Sequence, residues 1–151
     1  TTIIDDGTGS TTSNASAVTY DRQAPTLDGV TISTDNTNNA YAKVGSIITL
    51  AFTAANTENL LAKPAVTILG HTLAAADVSG SGASWSATYT TVNGDNAGTV
   101  PFTINFKDLA GNAGTEVDAI TDGDDVIFDK TAPNLNKFGT AYLDTHNERP
   151  L

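Results

Sequence analysis

Apolar residues at every second position, the pattern of half-buried strands, recur along the middle of the chain. In segment 47–53 they are Ile48, Leu50 and Phe52, which predicts a strand that directs these three side chains into a core. The alternation is cleanest in segment 100–106, and it leaves Lys107 pointing outward. The residues that fall on the apolar face of their predicted strand should form the core. They are Phe52, Trp85, Tyr89, Phe102, Ile104, Phe106 and Phe128.

Runs of β-branched and apolar residues, bounded by Gly, Asn, Asp or Pro, predict further short strands. They cover residues 30–33, 64–69, 72–73, 84–92 and 125–128. Only segment 57–63 has a helical character, and it is too short to change the fold class. About seven strands separated by turn signals predict an all-β protein, an antiparallel sandwich of two sheets.

A six-residue pattern occurs twice, as Tyr-Asp-Arg-Gln-Ala-Pro at 20–25 and as Phe-Asp-Lys-Thr-Ala-Pro at 128–133. The two copies start 108 positions apart (128 − 20), and a period of about a hundred residues corresponds to one domain of a tandem array. We therefore expect one domain over 25–133. Residues 1–24 would then contain the last strand of a preceding repeat, and residues 134–151 a tail or the start of a next repeat. Each proline restricts its own φ and favours an extended residue before it, so the motif predicts a stiff joint.

The composition narrows the class of protein. The chain has no Cys, which excludes disulfides and thiolate metal sites, and its net charge of −10 argues against a nucleic-acid partner. No apolar run approaches the roughly 18 residues that a membrane span needs. A Cys-free, acidic, Thr-rich chain is typical of a secreted bacterial surface protein.

Four segments together resemble a known family. They are 82–90 (GASWSATYT), 98–104 (GTVPFTI), 108–112 (DLAGN) and 128–133 (FDKTAP). In this order they resemble the bacterial immunoglobulin-like repeat domains of large surface adhesins, over roughly residues 25–133. The Arg-Gln pair of the first joint departs from the Thr-Thr or Lys-Thr that is more typical there.

The resemblance implies an immunoglobulin-like sandwich that acts as a structural spacer in an extracellular stalk at the cell surface. Its partners would be neighbouring repeats of the same chain, and it would have no enzymatic activity. Some domains of this kind bind calcium at the joints between them.

Acidic residues at the joints and in the loops are the candidate ligands for Ca²⁺, a cation that takes six to eight oxygen atoms. The candidates are Asp21, Asp129, Asp108, Asp28, Asp122 and Asp124, with Asp95 and Asp125 as further loop acids. Segment 93–98 comes closest to an EF-hand loop, but it has Ala97 where an oxygen ligand belongs. The alternative is that these Asp residues form turns by accepting hydrogen bonds from their own backbone.

Other chemistry has weaker signals. His71 and His146 are the only histidines, and neither has a partner at metal-ligand spacing. An isopeptide crosslink would need a buried lysine, whereas Lys43 and Lys63 are predicted at strand edges.

Two alternative functions stay open. The chain can be a carbohydrate- or receptor-binding module, for which an exposed Trp85 or Tyr41 would serve as a stacking platform; alternation favours a core position for Trp85. It can also be a self-assembling subunit of a surface layer or fibre, in which the flanking strands pair with neighbouring molecules.

Overall fold

β-Strands form the whole of the regular structure in the computed structural model, which describes residues 20–55 and 63–134. These residues contain no helix, so the all-β prediction is confirmed, and none of their segments is a helix long and apolar enough to span a membrane. The predicted helical segment 57–63 falls almost entirely outside the described residues. The strands are β1 (Leu27–Thr34), β2 (Tyr41–Ala42), β3 (Ile47–Ala54), β4 (Ala65–Ile68), β5 (His71–Thr72), β6 (Val78–Ser81), β7 (Ser84–Thr90), β8 (Gly98–Thr99), β9 (Phe102–Asn105) and β10 (Ile127–Phe128).

The largest sheet has the order β1-β3-β7-β6, with every neighbouring pair antiparallel. Its central strand β3 carries the predicted alternation, and Ile48, Leu50 and Phe52 are all buried. Phe52 pairs with Val30 of β1 on one side and with Trp85 of β7 on the other. The period of two therefore aligns the apolar side chains of three strands on one face of the sheet.

Two three-stranded sheets, β5-β4-β9 and β2-β10-β8, contain the remaining strands. The prediction of a single strand over 100–106 is wrong in its bounds. The strand β9 begins only at Phe102, and β8 has already ended at Thr99. Pro101 separates them because it has no N–H to donate to a ladder; its carbonyl accepts a hydrogen bond from Leu69 N at 2.9 Å. β10 pairs in parallel with β2 and antiparallel with β8.

The buried side chains of the sheets form one hydrophobic cluster. All of the predicted core residues belong to it as buried members except Tyr89, which is only partly buried and packs against it. Lys107 is exposed, as its phase predicts. Gly114 lies against the ring of Phe106, and a Cβ at this glycine would come within 2.9 Å of Phe106 Cδ2.

The chain enters and leaves this domain at opposite ends of β3. Leu27, at the start of β1, pairs with Ala54 at the last position of β3. Phe128, at the end of β10, pairs with Ala42, and the turn at 43–46 then leads into the first residue of β3. We call these the N-terminal end and the C-terminal end of the domain. The eight residues of β3 separate them by about 27 Å, at roughly 3.4 Å per residue.

Candidate functional site

The repeated six-residue motif forms the same turn at both ends of the domain. Asp21 Oδ1 accepts a hydrogen bond from Gln23 N at 2.9 Å, and Asp129 Oδ1 accepts one from Thr131 N at 2.8 Å. An Asp that bonds the backbone two residues on is an Asx turn, and it holds the chain in a fixed direction just before the proline. The two copies thus share their local geometry as well as their sequence.

The burial of the two copies is complementary. The aromatic residue is fully buried in the C-terminal copy, where Phe128 is 0 % exposed, but Tyr20 of the N-terminal copy is 82 % exposed. The proline shows the reverse: Pro25 is less than 2 % exposed, whereas Pro133 is exposed. In the C-terminal copy it is therefore the aromatic residue that packs into the described core, and in the N-terminal copy it is the proline.

At the C-terminal end, two residues of the motif attach it to this domain. Asp129 N donates to Ala42 O at 2.8 Å and so extends the pairing of β10 with β2. Lys130 Nζ donates to the main-chain oxygens of Asn93, at 3.2 Å, and Asp95, at 2.8 Å. The motif is thereby joined to the loop that follows β7.

Asp95, in that loop, is a carboxylate whose side chain is fully buried. Its oxygens accept hydrogen bonds from Val92 N at 2.8 Å and from the Tyr89 hydroxyl at 3.0 and 3.2 Å. His71 Nε2 lies 2.9 Å from Asp95 Oδ1, and the histidine ring stacks on Tyr89 with ring centroids 5.1 Å apart. The carboxylate thus ties β5, β7 and the loop together next to the point where the chain leaves the domain.

These contacts shift two pKa values. Burial acts to raise the pKa of Asp95, but the hydrogen bonds from Val92, Tyr89 and His71 outweigh it and hold this pKa below its ordinary value of 3.8. Burial, and then the hydrogen bond to the Asp95 carboxylate, raise the pKa of Tyr89 to about 12. Asp95 is accordingly ionised at neutral pH, and Tyr89 remains a donor.

At the N-terminal end, the loop Asp108–Asn112 folds around the buried carboxylate of Asp108. Asn112 donates to it twice, from its main-chain N to Oδ1 at 2.8 Å and from Nδ2 to Oδ2 at 2.9 Å. Burial acts to raise the pKa of Asp108, but these bonds and the amides of Gly111 and Ala110 keep it below its ordinary value. Gly111 has a φ of +92°, which the tight loop requires and which glycine adopts without steric cost.

Asn112 also connects this loop to the joint, because its Nδ2 lies 3.3 Å from the main-chain oxygen of Asp21. The structure therefore brings two candidate metal ligands, Asp21 and Asp108, to the same end of the domain. They are linked by an amide donor.

The other candidate metal ligands lie elsewhere. Asp129 is at the C-terminal end, whereas Asp28, Asp122 and Asp124 are exposed residues of β1 and of the loop before β10. In this loop Asp122 Oδ1 accepts from Gly123 N at 2.9 Å, and Thr121 Oγ1 donates to Asp28 O at 3.0 Å. Within 20–55 and 63–134, no three acidic or histidine side chains converge as a metal site would require. Calcium binding therefore stays a prediction.

The structure also places the residues considered for other chemistry. Trp85 is 8 % exposed and donates from Nε1 to Gly82 O at 2.9 Å, so it is a core residue and not a stacking platform. Tyr41 is 45 % exposed. Sequence reasoning gave His71 no role, and its contact with Asp95, 24 positions away, had no local signal. His146 lies outside the described residues.

Comparison with protein-family models, with curated proteins and with solved structures finds no match to this chain.

Proposed function

We propose that this chain is a structural spacer repeat, an immunoglobulin-like sandwich domain in the extracellular stalk of a bacterial surface adhesin. The observation that carries the proposal is the complementary burial of the two joint motifs. Tyr20 is 82 % exposed where its counterpart Phe128 is 0 % exposed, as expected if Tyr20 belongs to the core of a preceding domain. Pro25 is buried where Pro133 is exposed, as expected if Pro133 seats in a following domain.

The placement of the two joints supports a spacer. Because the chain enters at one end of β3 and leaves at the other, consecutive domains of this kind extend a chain instead of folding it back. The turn before each proline and the hydrogen bonds of Lys130 with the 93–95 loop restrict the joint further. A stiff connection between domains is what a stalk requires of its repeats.

Calcium is the proposed stiffening ligand of the joints. Asp21 and Asp108 lie at one end and Asp129 at the other, so a joint between two consecutive domains would combine carboxylates from both partners. A half-joint supplies fewer oxygens than the six to eight that Ca²⁺ takes, and its affinity would be low.

The adjoining coding sequence tests the array. We expect the pattern aromatic-Asp-basic-polar-Ala-Pro to recur upstream of Tyr20 and downstream of Phe128 at intervals close to 108 residues (128 − 20). An Asp-Leu-Ala-Gly-Asn type loop should lie about 20 residues before the end of each interval, as Asp108 does before Phe128 (128 − 108). Unrelated sequence on both sides would refute the tandem array and with it the spacer function.

A binding module is the second candidate, and one observation favours it. Tyr41 and Ile127 are register partners on β2 and β10, and they are 45 % and 37 % exposed, which leaves an aromatic and an aliphatic side chain adjacent on the surface. A glycan array that detects the chain but not a Tyr41→Ala variant would support this candidate.

A further inference from the structure

Asn112 holds two different parts of the chain with the two N–H groups of one amide. Its Nδ2 lies 2.9 Å from Asp108 Oδ2, within its own loop, and 3.3 Å from the main-chain oxygen of Asp21, which is 91 positions away. The contact with Asp108 fixes the orientation of the amide, because Asp108 is buried and also bonded by the main chain of Asn112. The second N–H is thereby aimed at the joint segment.

The loop contacts the backbone of the joint segment and not its variable side chains. The acceptor is the Asp21 carbonyl, whereas the side chains of Arg22 and Gln23 are exposed. Pro25, in the same segment, is buried and borders a cavity of about 230 Å³ together with Phe106, Thr115 and Val117. A carbonyl and a proline four residues later are present in both copies of the motif, although two of the three residues between them differ.

We propose that the Asp108–Asn112 loop and the seat of Pro25 form the surface by which a domain of this kind holds the joint segment that enters it, and that this surface accepts either copy of the motif. Residues 20–25 occupy it here, and in the next repeat of an array a segment with the sequence of residues 128–133 would occupy the equivalent surface. Asn112 binds the carbonyl of the Asp, and the seat beside Phe106 receives the proline. This proposal rests on the spacer function, because it names the surface through which one repeat holds the next.

The test uses the full chain and cleavage by trypsin after position 22, which requires the joint segment to leave its seat. Asn112→Ala removes the donor to Asp21, and we expect cleavage at position 22 to become about threefold to tenfold faster, the factor that one lost hydrogen bond implies. Cleavage after Lys130 serves as an internal control, because that residue is held at the opposite end of the domain by the 93–95 loop. If Asn112→Ala unfolded the whole domain, cleavage at both positions would rise together.

A further variant controls for the loss of an asparagine side chain. Asn96→Ala removes an exposed asparagine from the loop at the C-terminal end of the domain. It should not change the rate of cleavage at position 22.

The decisive comparison exchanges the motif. The substitutions Tyr20→Phe, Arg22→Lys and Gln23→Thr convert residues 20–25 into the sequence of 128–133 within the full chain. We expect Asn112→Ala to accelerate cleavage by the same factor in this background as in the parent. Each factor compares the cleavage rates with and without Asn112→Ala in the same background. The difference between cleavage after Arg and cleavage after Lys therefore does not affect it.

Either of two results would overturn the proposal. If Asn112→Ala did not accelerate cleavage at position 22 in the parent chain, Asn112 would not hold the segment. If it accelerated cleavage in the parent but not in the exchanged background, the loop would not accept the sequence of residues 128–133. Both results leave the spacer function to its own test, the recurrence of the motif in the adjoining sequence.

Discussion

Replacement of Gly80 by alanine tests how closely β6 and β7 approach each other. Gly80 has a φ of +134°, and a Cβ at this position would lie 2.7 Å from Trp85 Cα and still closer to the Ser84 carbonyl oxygen. Both are main-chain atoms of the paired strand β7, and they cannot rotate away as a side chain would. Gly80→Ala must therefore separate the two strands or distort them.

Gly98 is the matched control for the backbone conformation. Its φ of +128° is close to that of Gly80, but beyond its two chain neighbours no heavy atom lies within 4 Å of the position that a Cβ would take. Alanine in a sparsely populated backbone region costs about 1–3 kcal/mol, and both variants share this term. Overpacking against β7 adds about 1–3 kcal/mol for Gly80→Ala alone. The difference between the two variants isolates the close approach.

Urea unfolding measures the two free energies of unfolding. The single tryptophan, Trp85, pairs directly with Gly80 and reports on this region by fluorescence, and circular dichroism reports on the whole domain. We expect Gly80→Ala to be less stable than Gly98→Ala by about 1–3 kcal/mol with both probes. Equal losses in the two variants would mean that β6 does not pair with β7 in this register.

Three further predictions concern the core, the buried carboxylate and calcium. Phe106→Ala should lower the free energy of unfolding by about 3–5 kcal/mol, whereas Lys107→Ala, with an exposed side chain, should change it little; equal effects would place the strand in the other phase. Because folding lowers the pKa of Asp95 below 3.8, its contribution is complete above that pH and is lost as the pH falls through the lowered value. Asp95→Asn should therefore be less stable at neutral pH but lose less stability between neutral pH and pH 2, and parallel acid unfolding curves would contradict this. Millimolar calcium should raise the melting temperature and a chelator should reverse the shift, since a ligand of the folded state stabilises it; an unchanged curve would exclude calcium from the half-joints of this chain.

The strands that the sequence predicted well are those with a long apolar alternation. β3 and β7 each cover more than six residues, so the period of two identifies the buried face independently of the partner strand. β6 has one buried residue, Val78, followed by Ser79 and Gly80, and it forms only because β7 supplies its hydrogen-bond partners. β2 has two residues, too few to show any period. Both were missed because their cause is pairing and not local pattern.

In the candidate site, too, the features with a local pattern could be predicted from the sequence, and those that depend on distant residues could not. The joint motifs were recognisable because six residues recur, and the turn at each Asp follows from local chemistry. The contacts that give these motifs a role join residues far apart in the chain: Asn112 with Asp21, and Lys130 with the loop at Asp95. No spacing rule covers such pairs, because the sheets bring them together. The candidate calcium ligands were chosen by residue type and by their place in a joint or a loop, and the sheets distribute them over both ends and one edge of the domain.

The length of consecutive repeats tests the central claim most directly. If the chain is a spacer whose joints leave opposite ends of β3, small-angle X-ray scattering of natural segments with one, two and three consecutive units should show a maximum dimension that grows by a constant increment. That increment should be at least about 27 Å, the length of the eight residues of β3. A maximum dimension that stays nearly constant as units are added would show that the domains fold back on one another, and it would contradict the spacer function.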